Sequence, residues 1–262
     1  MPQSIYVVDA FTDRPFCGNP AGVCILDAPM QDDLRQQIAM EMNHAETAFL
    51  TNLGDGNYDL RWFTPTTEVK MCGHATLASA HVLWTTRRES GSLRFQTKSG
   101  EMRAERDDNL IVLDFPAEFT KPVADRSPFE KALGLRTTYV GDNWMYWLIE
   151  LESEQAVRSL KPNFEAIAKL GREAVLVTAK SDSEADDFVS RFFGPNVGIP
   201  EDPVTGSAHC LLAPYWSQKL GKTEMVGYQA SKRGGFVRVE FLGARVLLKG
   251  YAVTVLTGNL EL

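Results

Sequence analysis

The chain has 262 residues, 44% hydrophobic and 23% charged, with 34 acidic against 27 basic side chains and a formal net charge of −7. That is the make-up of a globular protein with a full core, and its acidic balance argues against nucleic acid or an anionic membrane surface as partners. No apolar run approaches the roughly 18 residues of a bilayer-spanning helix, and MPQSIYVVDAF lacks the basic leader of a signal peptide. The four cysteines (Cys17, Cys24, Cys72, Cys210) form no CxxC pair and no zinc-like spacing with the four histidines, so the expectation is a cytoplasmic protein that holds no metal.

In chain order, SIYVVDAF, GVCILD, TAFLTN, YDLRWFTP, SLRFQT, EMRAERDD and LIVLDF are short strands separated by Gly, Asn and Asp turns. The second half repeats that texture in WMYWLIELE, AVLVTA, FVSRFF, FVRVEF, ARVLLKG and YAVTVL. Helices are expected over 31–42, 73–86, 154–170 and 206–220. Strands that follow one another directly favour an α+β arrangement of mostly antiparallel sheet over a βαβ sheet. KPVADRSP (121–128) reads as a boundary, giving an N-terminal lobe of 1–120 and a C-terminal lobe of 121–262 whose last strand can cross back.

The chain also matches itself. RWFTP at 61–65 is answered by RFFGP at 191–195, an offset of 130 in a chain of 262. GHATLASAHVLW follows the first copy and GSAHCLLAPYW the second. Two matches in one order at half the chain length imply two related lobes.

Apolar residues lie all round the helix expected over 73–86, as they do in a buried helix. The 206–216 segment is similar, although Pro214 is expected to kink it or loosen a turn. Gly73 and Ala75 open one helix, and Gly206, Ser207 and Ala208 the other. A helix start exposes unpaired N–H groups and a partial positive charge, and small residues there let an anion reach them. Two such starts aimed into one cleft between the lobes would hold a carboxylate.

These residues carry a resemblance. CGNPAGV (17–23), NHAETAFL (43–50), RWFTPTTEVKMCGHAT (61–76) and EDPVTGSAH (201–209) together resemble the PhzF family of phenazine-biosynthesis-type isomerases, whose fold is similar to that of diaminopimelate epimerase. The resemblance implies two pseudo-symmetric lobes, each an antiparallel sheet or barrel wrapped around a central helix. It implies a cofactor-free site between them, a homodimer, and isomerisation of a dihydro-hydroxyanthranilate-like substrate by proton transfer. It assigns Glu46 as general acid/base beside Asp202 and His74, with Asn19, Gly73, Gly206 and Ser207 binding substrate. Ala45 stands where the phenazine enzyme has a serine, so the substrate need not be the phenazine precursor.

The residues themselves add detail. A carboxyl among Ala45, Ala48 and Phe49 is expected to hold its proton more tightly and so suit acid/base work near neutral pH. Asp202 before Pro203 is a turn or capping residue on its own terms; as a second carboxylate it would hold a substrate amine or hydroxyl, or tune Glu46. His74 in a first helical turn favours neutral imidazole. Asn19 is a turn residue by itself. Cys72 at a helix start is a plausible reactive thiol, which keeps open a Cys72-dependent enzyme. Two-thiol racemisation is disfavoured, because the repeat puts Thr205 where the second thiol belongs. A non-catalytic binding or scaffold protein is the other alternative. LGKT (220–223) lacks the earlier glycine of a phosphate loop, and Gly221 reads as the stop of the second helix.

Overall fold

The computed structural model describes residues 3–86 and 88–262. The chain divides into two compact units, Met1–Asp114 with Leu248–Leu262, and Phe115–Leu247. In unit 1 the elements are β1 (Gln3–Ala10), β2 (Asn19–Leu26), α1 (Asp32–Met42), β3 (Glu46–Gly54), β4 (Asn57–Phe63), β5 (Glu68–Val69), α2 (Gly73–Thr85), β6 (Leu93–Thr97), β7 (Gly100–Asp107) and β8 (Leu110–Pro116), within which the chain leaves the unit. Unit 2 continues with β9 (Lys121–Pro122), α3 (Ser127–Leu133), β10 (Thr137–Asp142), β11 (Tyr146–Leu151), α4 (Glu154–Ser159), α5 (Phe164–Ala168), β12 (Ala174–Lys180), β13 (Phe188–Gly194), β14 (Ile199–Asp202), α6 (Gly206–Leu220), β15 (Glu224–Gln229), β16 (Gly235–Phe241) and β17 (Arg245–Gly250). The chain returns to unit 1 within β17, and the final strand, β18 (Ala252–Leu260), pairs antiparallel with β1.

Each unit is a mostly antiparallel sheet with two parallel joints, and in both each parallel joint is made by a helical crossover. In unit 1, β2 and β3 are parallel across α1, β3 and β4 form a hairpin, and β4 and β6 are parallel across α2. In unit 2, β11 and β12 are parallel across α4 and α5, β12 and β13 are antiparallel, and β13 and β15 are parallel across α6. The direct strand-to-strand reading therefore holds for most neighbours, and the helices supply the exceptions because a parallel pair needs a crossover. The expected helix over 154–170 is two short ones, each opened by a capping side chain, Ser153 and Asn163.

Helix α2 is buried at ten of its thirteen positions, so its apolar residues on all sides mark a central helix. It packs on β1, β2, β3 and β18, while α1 covers the other side with Ile38 and Ala39 against Phe49 and Phe63. In unit 2, α6 packs on β15 and β16, and Val157 and Ile167 of α4 and α5 cover Ile149, Val175 and Val189. The helix runs unbroken through Pro214. A proline there leaves the Cys210 carbonyl without its helical N–H, and Glu118 N–H takes it at 3.0 Å. The helix stops at Gly221, whose φ of 68° is the left-handed cap. Among the described residues no helix is long and apolar enough to cross a membrane.

The sequence repeat has a physical basis. Arg61 forms a two-pronged ion pair with Glu68 on β5, and its guanidinium lies 5.6 Å from the Phe63 ring centre. Arg191 does the same with Glu201 on β14, at 2.7 and 3.0 Å, and lies 4.9 Å from the Phe193 ring centre. Each pair clamps the segment that leads into the unit's central helix.

Candidate active site

In unit 1 three elements meet at the start of α2. β2 begins at Asn19 after a loop in which Gly18 has φ 65°, and a Cβ at 18 would fall 2.1 Å from the Ala10 carbonyl oxygen. Only glycine fits that approach. β3 begins at Glu46, shortly after α1 ends at the left-handed Asn43, with φ 50°. Cys72 caps α2, followed by Gly73 and His74.

His74 sits among the other three side chains. Its Nε2 is 3.3 Å from Glu46 Oε2, and its Nδ1 is 3.3 Å from Asn19 Nδ2 and 3.5 Å from Cys72 Sγ. Burial, with a smaller contribution from His44, pushes the imidazole down to about 3, so it is neutral at physiological pH. An amide nitrogen only donates, which makes Nδ1 the acceptor and puts the ring proton on Nε2, close to Glu46 but outside hydrogen-bond geometry with it. Glu46 and His74 are both largely buried, at 9% and 5% exposure. Glu46, Cys72 and His74 also present oxygen, sulfur and nitrogen ligand atoms within 4.8 Å of one another, a set able to take a soft divalent cation.

In unit 2 the corresponding place is the start of α6, where Thr205 occupies the position before the first helical residue, Gly206. Thr205 Oγ1 donates to Asp202 Oδ2, and Asp202 is buried at the end of β14. The fully buried Gln229 of β15 fixes this turn: its Oε1 accepts from Thr205 N–H at 2.9 Å, and its Nε2 donates to Asp202 O at 2.8 Å and Thr205 Oγ1 at 3.2 Å. Because Thr205 Oγ1 accepts from Gln229, its own proton goes to Asp202, which is thereby an acceptor. His209 Nδ1 donates to Thr205 O at 2.8 Å, and burial pushes that histidine down to about 4. Ser207 Oγ lies 3.1 Å from the hydroxyl of Tyr146, at the start of β11.

The structure thus gathers Asn19, Glu46, Gly73 and His74 in unit 1, and Asp202, Gly206 and Ser207 in unit 2. Gln229, His209 and Tyr146 escaped the sequence reading. Gln229 ends EMVGYQ, which Gly227 and two polar ends hide as a strand. Tyr146 was visible only as one aromatic in a strand.

Residues 8–258 match the family model described as phenazine biosynthesis-like protein. An uncharacterized isomerase of Halalkalibacterium halodurans is 50% identical over 266 residues, covering 100% of both chains. The crystal structure of a PhzF-family phenazine biosynthesis protein from Enterococcus faecalis, 39% identical, superposes with a TM-score of 0.96 over 100% of both chains. A hydroxyproline epimerase from Agrobacterium vitis, 11% identical, shares the fold at a TM-score of 0.65 over 100% of this chain and 93% of that one. Fold and relatives define an isomerase on an epimerase-like α+β scaffold. The chain belongs to the phenazine biosynthesis-like (PhzF) family.

Proposed function

We propose that the protein is a cofactor-independent isomerase that shifts a proton within a small, carboxylated, unsaturated and dihydroaromatic-like substrate. Glu46 is the acid/base. Its carboxylate takes a proton from an sp³ carbon, the electrons of that C–H bond move into the conjugated system, and protonated Glu46 returns the proton to the far end of the shifted double bond. His74, neutral and with its Nε2 3.3 Å from the carboxylate, steadies the charge there. Asp202, held as an acceptor, takes a substrate N–H or O–H. Asn19 orients His74, and Gly73, Gly206 and Ser207 leave helix-start N–H groups open to the acid group.

The observation that carries this reading is the 3.3 Å approach of the Glu46 carboxylate to a buried, neutral His74. Family membership supports the reaction class. The test is deuterium incorporation from heavy water into a panel of dihydroaromatic acids. Glu46→Gln is expected to slow exchange by about 10²–10⁴-fold, the usual worth of a general acid/base, with its thermal unfolding unchanged. Undiminished exchange by that variant refutes the assignment.

A further inference from the structure

The two units repeat each other in register, and the repeat gives Glu46 a counterpart. Across β3 and β4, Thr47 pairs with Phe63; across β12 and β13, Val175 pairs with Phe193. The two phenylalanines are the matched residues of the RWF and RFF repeats. One residue earlier on β3 and β12, Glu46 therefore corresponds to Ala174. On the neighbouring parallel strands Glu46 pairs with Ala21, and Ala174 pairs with Tyr146. Both units thus place one small and one functional side chain side by side, but on exchanged strands: Ala21 with Glu46, then Tyr146 with Ala174.

The helix side repeats as well. His74 follows Gly73, and Ser207 follows Gly206. The Glu46–His74 contact of 3.3 Å is matched in unit 2 by the Tyr146–Ser207 contact of 3.1 Å. Their proton counts are opposite. The oxygens of a Glu46 carboxylate have only lone pairs to offer, so that pair accepts. Two neutral hydroxyls share one proton between them and keep one to give, so the other pair donates.

We infer that Tyr146 is a substrate-recognition residue, and that the Tyr146–Ser207 hydroxyl pair binds an anionic oxygen of the substrate, of the carboxylate class. The pair acts as a unit, because a hydroxyl that receives a hydrogen bond donates a stronger one. Burial, above all other influences, pushes the Tyr146 phenol up to about 12, so it keeps its proton throughout the physiological range. Phe192, edge-on at 5.1 Å between ring centres, holds the ring in place. This inference rests on the reading that the substrate is a small carboxylate, and it adds the residue that meets that group.

The test is titration of the full-length protein with benzoate, a stable planar carboxylate, and with benzamide as its neutral counterpart, followed by ligand-observed NMR. Tyr146→Phe is expected to weaken benzoate about tenfold, the worth of one hydrogen bond to a charged group, and to leave benzamide unchanged. Ser207→Ala is expected to match it, and the double variant to lose little more than either single one. Wild-type affinity for benzoate in Tyr146→Phe, equal weakening of benzamide, fully multiplicative losses in the double variant, or no benzoate binding by the wild type each overturns the inference. Benzoate has no proton to shift, so this titration does not depend on Glu46. Failure of the Glu46→Gln test with the Tyr146 effect intact removes the isomerisation mechanism alone, and the converse removes this inference alone.

Discussion

The starts of α2 and α6 are built from one plan and furnished with different side chains. Both follow an arginine–glutamate clamp, both begin at a glycine, and both cap the carbonyl before that glycine with a side chain four residues on: Thr76 Oγ1 to Cys72 O at 2.6 Å, and His209 Nδ1 to Thr205 O at 2.8 Å. In unit 1 that frame carries Glu46 beside a neutral His74. In unit 2 it carries Tyr146 with Ser207, and Asp202 where β5 has Val69: Asp202 pairs with Phe192 as Val69 pairs with Trp62. The lesson is that the backbone plan and the side-chain chemistry of a helix start are separable, since a few residues change the second without disturbing the first.

The largest effect on stability should come from unequal dependence on the two clamps. Arg191 is nearly buried and also donates to the carbonyls of Leu160 and Val157, at 2.7 and 3.3 Å. Removing one partner of a buried ion pair strands the other, so Arg191→Met is expected to cost about 3–5 kcal/mol in urea unfolding. Arg61→Met should cost clearly less, because Glu68 keeps Lys98 and is not left alone. Equal midpoints for the two variants would show that the clamps are equivalent in energy as well as in geometry.

Acid should come next. His74 and His209 are held neutral, at about 3 and about 4, whereas in the unfolded chain each titrates near 6.5. Between those values the unfolded state binds the extra protons, so stability is full above about pH 6.5 and falls as the pH drops toward 3–4. Urea midpoints measured from pH 7 down to pH 4 should decline. His209→Asn should flatten the decline by removing unit 2's contribution, and an unchanged slope would mean that His209 is not neutral in the folded protein.

Cys72 should matter least. Its thiol lies 3.5 Å from His74 Nδ1 but has Thr205 as its counterpart in unit 2. Cys72→Ser is expected to slow the deuterium exchange by less than about tenfold, under about 1.4 kcal/mol of barrier. A loss as large as that of Glu46→Gln would move the proton chemistry to the thiol and end the contrast between a carboxyl–imidazole pair in one unit and a hydroxyl pair in the other.

Much of this was open to reading in one dimension. The helices at 73–85 and 206–220 announce themselves through apolar residues on every side and a glycine at each start. The repeat of Arg-aromatic-Phe announces the duplication, because the same ion pair and ring contact need the same residue types in both copies. Helix α3 at Ser127–Leu133 was hidden by the Pro-rich segment it emerges from, and β15 by Gly227. Gly227 is there because a Cβ would meet the Phe188 ring at 2.4 Å, a contact between residues 39 apart that no local pattern records.

By itself the sequence determined which residue types were available, which helices are buried, that the chain is a duplicated α+β protein, and the family to which it belongs. Tertiary structure alone decided which atoms face one another: that His74 Nε2 lies beside Glu46, that Gln229 turns the Thr205 proton onto Asp202, and that Tyr146 stands on the strand beside Ala174, the counterpart of Glu46. Strand register makes those choices. Residues that share a hydrogen-bonded rung lie side by side however far apart they are in the chain, and a shift of one position along the strand sends each side chain to the other face.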